Sequence, residues 1–223
     1  MRARPEVVVF DVVETLFALD PVRERMIEVG FGAEAMPLWF AGFLRDAFAL
    51  DGAGTYAPFE ETAAATLEVA MANEGIEITD AKVARVIGAF AELPAHPDVR
   101  PALDELCAAK VRVATLTNGS GENTRKLLER AGLSGLVEKT ISIDEVQRWK
   151  PAPEVYRHAA ATIGVDPGNI ALVAAHAWDV HGAKRAGFAT GWVVRKDKIL
   201  SRAVAPPDWT GSTLVELVDR LLG

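Results

Sequence analysis

The sequence predicts an α/β fold: a parallel sheet between helices, three layers in all, with a helical domain inserted near its start. Three observations predict it. Short runs rich in β-branched residues alternate with helical segments over most of the chain, and such alternation builds parallel sheets with helices on both faces. The alternation stops between about Asp20 and Leu93, where no stretch reads as a strand. Polar residues follow several of the strands, and in a parallel sheet all strand C-termini share one edge, where ligands bind. The expected division is a discontinuous core, residues 1–17 and 95–223, and an inserted helical cap, residues 18–94.

The first strand is the run Glu6-Val7-Val8-Val9-Phe10, ending in Asp11. Continuous apolar character marks a strand buried on both faces. Pro21 opens the first helix of the insertion, and Gly30 and Gly32 close it. Leu38 to Leu50 is an apolar helix between Pro37 and Asp51-Gly52. Pro58-Phe59-Glu60-Glu61 starts a third, with acids in its first turn as the helix dipole favours. Thr79-Asp80 caps a fourth, which Pro94 and Pro97 stop. Beyond the insertion, Asp98 to Ala109 reads as a helix and Val111 to Leu116 as a strand. A helix to Gly132, a strand over Val137 to Ile143 and a helix over Pro153 to Gly164 follow. Ile170 to Ala174 and Thr190 to Val194 are strands flanking a short helix over Asp179 to Ala186, and Ser212 to Leu222 is a terminal helix.

Composition narrows function. A net charge of −7 argues against a nucleic-acid surface, which needs clustered Lys and Arg. Arg195, Lys196 and Lys198 form the only basic cluster and read as a solvated loop. Cys107 stands alone, so no intrachain disulfide or cysteine-rich metal site can form, and its small apolar neighbours suggest a core position. No stretch reaches the ~20 apolar residues of a membrane span. The N-terminal arginines precede only a brief apolar run, unlike a signal peptide, so a cytoplasmic location is expected.

Four segments carry candidate chemistry: Asp11 with Thr15; Thr117 with Asn118; Lys150; and His176 with Asp179. An aspartate is a weak nucleophile unless it is oriented and held ionised. A neighbouring lysine favours the charged carboxylate. Thr15, Thr117 and Asn118 can hold its oxygens, and Asp179 can anchor the lysine or orient a water. Each has a bland alternative. Asp11 could cap a turn, Thr117-Asn118-Gly119 could be a turn before a helix, Lys150 could lie on the surface, and Trp149 and Trp178 could be packing groups. The conjunction of all four is far more specific than any one.

On these residues the chain resembles the haloacid dehalogenase superfamily. Phe10-Asp11 with Thr15-Leu16, Leu116-Thr117-Asn118-Gly119-Ser120, Lys150-Pro151-Ala152-Pro153-Glu154-Val155-Tyr156, and Asp179-Val180-His181-Gly182-Ala183 are similar to its four motifs. The resemblance implies a Rossmann-like core with a helical cap. The superfamily's phosphatases carry a general acid where this chain has Val13, and a Mg²⁺-binding acid where it has Ala175. Ala175-His176-Ala177-Trp178-Asp179 instead is similar to the L-2-haloacid dehalogenase branch, which uses no cofactor. That branch implies catalytic roles for Asp11, Thr15, Thr117, Asn118, Lys150 and Asp179, and a substrate side formed by Val13, Phe40, Tyr156, His176 and Trp178, with no metal. The implied substrate is a small organic acid, with no nucleic-acid or membrane partner. The implied reaction runs through an ester on Asp11; halide leaves without a proton, which is why Val13 is tolerable. The chain departs from the branch at Phe40, where an arginine is expected, and at Ala174 and His176. Arg45 and Arg23 are the candidates to replace that charge. A Mg²⁺-dependent phosphatase and a binding protein retaining the fold are the alternatives. The apolar helix over Leu38 to Phe48 is a candidate homodimer surface.

Overall fold

The computed structural model describes residues 4–223; Arg2, the first of the N-terminal arginines considered above, lies outside them. It divides into two compact units. One is built from the chain up to Phe17 and again from Ala95 to Gly223, the other from Ala18–Pro94.

The first strand, β1 (Val7–Phe10), belongs to the discontinuous unit. Four helices of the other unit follow: α1 (Asp20–Glu28), α2 (Ala35–Gly52), α3 (Phe59–Asn73) and α4 (Asp80–Ile87). The chain then returns through α5 (Val99–Ala108), β2 (Arg112–Thr117), α6 (Gly121–Arg130), β3 (Lys139–Ser142), α7 (Pro153–Ile163), β4 (Ile170–Ala174), α8 (Ala177–Arg185), β5 (Ala189–Val193), β6 (Trp209–Gly211) and α9 (Leu214–Leu222).

All six strands are parallel, in the order β3-β2-β1-β4-β5-β6. Val7 to Phe10 have no exposed surface, because β1 is paired on both edges and covered on both faces. The chain leaves β1 toward β2 in one direction and leaves β4 toward β5 in the other. Their shared boundary is therefore the topological switch point, where an open α/β sheet leaves a crevice beyond its C-terminal edge. Right-handed crossovers set α5 and α6 on one face and α7 and α8 on the other; α5 also packs against α9, and α7 against α8.

Three local expectations are corrected. The sequence reading missed β6, a three-residue edge strand between Pro207 and Ser212 that is too short to show alternation. Cys107 is exposed: it sits at the end of α5 with its thiol toward the Leu136 carbonyl at 3.8 Å. Arg195 is not a solvated loop residue. Its guanidinium forks onto both Asp98 oxygens at 2.9 and 2.8 Å and donates to the Thr15 carbonyl at 3.0 Å.

The helical unit has an aromatic core. Phe43 packs edge-on against Phe59 with ring centroids 4.8 Å apart, and Phe59 against Phe90 at 5.0 Å. Phe40 is buried in the same cluster, 5.6 Å from Phe43. Arg45 pairs with Asp46, and Arg23 with Asp20, both in exposed positions. Leu38 and Val69 remain exposed.

Candidate active site

β1 delivers Asp11 to the switch point, and the Asp11 amide continues the ladder by donating to the Val173 carbonyl at 3.0 Å. Its side chain is nearly inaccessible, so its charge needs partners. The turn that follows brings Thr15 back beside it. The Thr15 hydroxyl donates to Asp11 Oδ2 at 2.7 Å and accepts the Ala175 amide at 2.9 Å, which ties the ends of β1 and β4 together. Arg195, through the Thr15 carbonyl, fixes the same turn from outside.

Lys150 is completely buried, which overturns its reading as a surface residue. Its ammonium has three hydrogens, and three acceptors take them: Asp11 Oδ1 at 2.7 Å, Asp179 Oδ2 at 2.6 Å and the Leu116 carbonyl at 2.9 Å. Asn118 holds the lysine's backbone, accepting its amide through Oδ1 at 3.1 Å. Thr117 is buried too, but its hydroxyl accepts the Gly119 amide at 2.9 Å and so shapes the turn. Ser120 then caps α6 through the Asn123 amide, so the turn-and-cap reading describes this stretch while Asn118 also reaches the Lys150 amide.

Tyr156 has a different place from the one expected. It is fully buried and its hydroxyl donates to Asp179 Oδ1 at 2.7 Å, so it holds the acid and presents no polar group outward. Gly182, one turn beyond Asp179 on α8, makes room for it. A Cβ there would stand 2.6 Å from both Pro151 Cβ and the Tyr156 hydroxyl oxygen. Gly182→Ala is therefore expected to cost about 1–3 kcal/mol through overpacking and to push Tyr156 off Asp179. Denaturant melts and turnover of the same variant measure the two effects.

The electrostatics separate the two carboxylates. Burial pushes Asp11 up, but Lys150, His176 and the Thr15 hydroxyl outweigh it, and the carboxyl is held below its ordinary value. Asp179 is pushed up by its burial and by Asp11, against the pull of Lys150 and Tyr156. Burial alone would strip the Lys150 proton, yet the two carboxylates raise its affinity for it. One acid is thus kept ionised while its neighbour is tuned toward accepting a proton, the pattern that separates nucleophile from base.

His176 and Trp178 lie at the open side of the site, both half-buried, with their rings stacked at 4.9 Å and 16°. His176 Nε2 is 3.3 Å from the Val13 carbonyl oxygen and 3.7 Å from Asp11 Oδ2. The Val13 side chain carries no group that can move a proton. Phe40 belongs to the other unit, in its aromatic core. Two residues near this site escaped the sequence reading, Glu14 and Arg195. An acid in the turn right after the Asp11 strand was a usable signal for Glu14; nothing local marks Arg195, whose partner Asp98 is far away in sequence. Among the described residues no group of three or more His, Cys, Asp or Glu is arranged to hold a metal ion.

Comparison with known proteins fits this geometry. The family model for haloacid dehalogenase-like hydrolases matches residues 5–187. An (S)-2-haloacid dehalogenase of Pseudomonas sp. strain CBS-3 is 34% identical over 217 residues, 96% of this chain and 95% of that protein. (S)-2-haloacid dehalogenase 4A of Burkholderia cepacia is 31% identical over 215 residues, 96% of this chain and 90% of that protein. A crystal structure of a dehalogenase with an intermediate complex superposes with a TM-score of 0.91 at 28% identity, covering 100% of both chains.

Proposed function

The chain belongs to the haloacid dehalogenase-like hydrolases, and on that premise we propose that it hydrolyses 2-haloacids without a metal, through an ester on Asp11. The observation that carries this reading is the Asp11–Lys150–Asp179 array, in which one buried ammonium serves two carboxylates of opposite tuning. Asp11 is the nucleophile. One of its oxygens bonds to the carbon bearing the halogen as the carbon–halogen bond breaks, and halide leaves with the electron pair. Water then adds to the Asp11 carboxyl carbon. Asp179 receives its proton, and Lys150, Thr15 and Asn118 hold the groups in line. Thr117 acts through the turn it shapes, and Tyr156 by fixing Asp179. Val13, His176 and Trp178 form the substrate side in this reading, and Phe40 is expected from the sequence to bear on substrate choice. Val13 and Ala175 leave a phosphatase without its proton donor and one metal acid.

The test is halide release from a chain-length series of 2-haloacids with EDTA present, beside aryl phosphate hydrolysis with Mg²⁺. Displacement at the halogen-bearing carbon inverts it, so (S)-2-chloropropionate is expected to give (R)-lactate by chiral chromatography. With Phe40 at the position of the expected arginine, longer or aromatic acids are expected to outpace the shortest. Preference for the smallest acids would remove Phe40 from the substrate side. Metal-dependent phosphate release without halide release would replace the reading with the phosphatase one. Inside a bacterium the protein would act in the cytoplasm, and the exposed Leu38 and Val69 would face a second copy if it pairs.

A further inference from the structure

We propose that His176 gives the departing hydroxy acid its proton when the Asp11 ester is hydrolysed, and that Glu14 is the residue that positions it; this rests on the aspartyl-ester reading above. The two chemical steps differ in what leaves. Halide needs no proton. The second step expels an alkoxide, a far poorer leaving group, and general acid catalysis is the ordinary remedy. The obvious donor, Lys150, has all three hydrogens committed to Asp11 Oδ1, Asp179 Oδ2 and the Leu116 carbonyl. Both Asp179 oxygens are engaged by Lys150 and Tyr156.

His176 is differently placed. Three oxygens converge on its Nε2: the Val13 carbonyl at 3.3 Å, Asp11 Oδ2 at 3.7 Å and Glu14 Oε2 at 3.7 Å. A ring nitrogen facing three acceptors carries a hydrogen and donates. The ring is held flat against Trp178, and the Lys150 ammonium stands 5.8 Å from the Trp178 ring centroid. The charged groups facing His176 Nε2 are thus Asp11 and Glu14, both from the segment after β1. Oδ1 of Asp11 faces the fully buried lysine, whereas Oδ2 faces the half-open imidazole. Oδ2 is accordingly the oxygen a substrate carbon can reach.

Glu14 supplies a second, independent observation. Its φ is +63°, a left-handed conformation that side chains other than glycine adopt rarely. Strain of this kind gathers at functional sites, where the surroundings impose it. Here it is maintained by the Glu14 amide donating to the Phe17 carbonyl at 2.8 Å and by His96 Nε2 3.2 Å from the Glu14 carbonyl oxygen. The result is a carboxylate turned toward the His176 ring.

The step balances. Water adds to the ester carbon and loses one proton to Asp179, from which it passes to solvent; this is the net proton of the reaction. The carbon–oxygen bond to the former Oδ2 breaks, its electron pair goes to that oxygen, and the oxygen takes the Nε2 proton. The Asp11 carboxyl left behind bears the hydrogen of the attacking hydroxyl and returns it to His176. Nucleophile and acid are both regenerated.

Rapid-quench halide release from (S)-2-chloropropionate, with intact-mass analysis of Asp11, tests this in wild type, His176→Asn and Glu14→Gln. His176→Asn should keep a burst of one halide per site and then turn over on the order of 10²-fold slower or worse, with the Asp11 ester accumulating. Glu14→Gln should keep the burst and lower kcat several-fold with KM little changed, the Asp11 ester again accumulating, because the ring loses the carboxylate that aims it. Wild-type steady-state rates in His176→Asn with no ester would overturn the proposal, as would loss of the burst in a folded variant. If neither variant folds, His176→Gln takes the same measurement, and wild-type steady-state rates with no ester overturn the proposal. A wild type that neither releases halide nor forms an adduct sinks the aspartyl-ester reading itself, which is a distinct outcome.

Discussion

Asp11→Asn is expected to abolish turnover, by a factor on the order of 10⁴ to 10⁶, the scale seen when a covalent nucleophile is removed. The amide has nearly the carboxylate's shape and can still accept from Thr15 or face Lys150, so the fold should survive. What it lacks is the anion. In wild type the anion is maintained against burial by the lysine, the imidazole and the threonine hydroxyl. The companion measurement is a single turnover in H₂¹⁸O. Water attacks the Asp11 carboxyl carbon in this mechanism, so label should enter Asp11 while the first product carries the aspartate's own oxygen. Label appearing first in the product would mean that water attacks the substrate directly, and Asp11 would then be a base.

The sheet and the convergence at its edge were legible because both are written locally. Val7 to Phe10 and Ile170 to Ala174 are unbroken apolar runs, and such runs have few alternatives to a strand covered on both faces. Once they are parallel strands, Asp11, Thr117 and His176 must share an edge. What the sequence hid depends on partners remote along the chain. Arg195 reads as one of three loop cations until Asp98 is seen across from it. Lys150 taken alone beside prolines reads as surface; its pairing with Asp11 and Asp179 is legible only once the four segments are set on one sheet edge. Tyr156 is expected on the substrate side because it shares a motif with the lysine; its hydroxyl instead points at Asp179, a partner 23 residues away. Glu14 is legible as an acid in the turn after β1, but its orientation is not. Its backbone conformation runs against its own preference, and reading by preference fails at such places.

Lys150→Ala is expected to damage stability and activity together, and pH should separate the two. The lysine and Asp179 are wholly buried, and Asp11 nearly so. Removing the ammonium leaves two carboxylates in low dielectric with no counter-charge. Breaking a buried pair in this way costs about 3–5 kcal/mol, and loss of the positioned charge should slow turnover by roughly 10²-fold or more. In wild type Asp11 is held below its ordinary value, so its contribution to stability is present above the unfolded pKa and fades as pH falls through the folded one. In the variant the sign reverses. Both carboxyls are raised in the folded state, which then binds more protons than the unfolded chain, and stability increases as pH falls through their titration. Activity cannot follow, because a protonated Asp11 is no nucleophile. Denaturant midpoints and halide release, measured on one variant from neutral to mildly acidic pH, should therefore diverge: stability recovering, turnover not. A variant whose stability tracks wild type across that range would mean that Lys150 does not neutralise the pair.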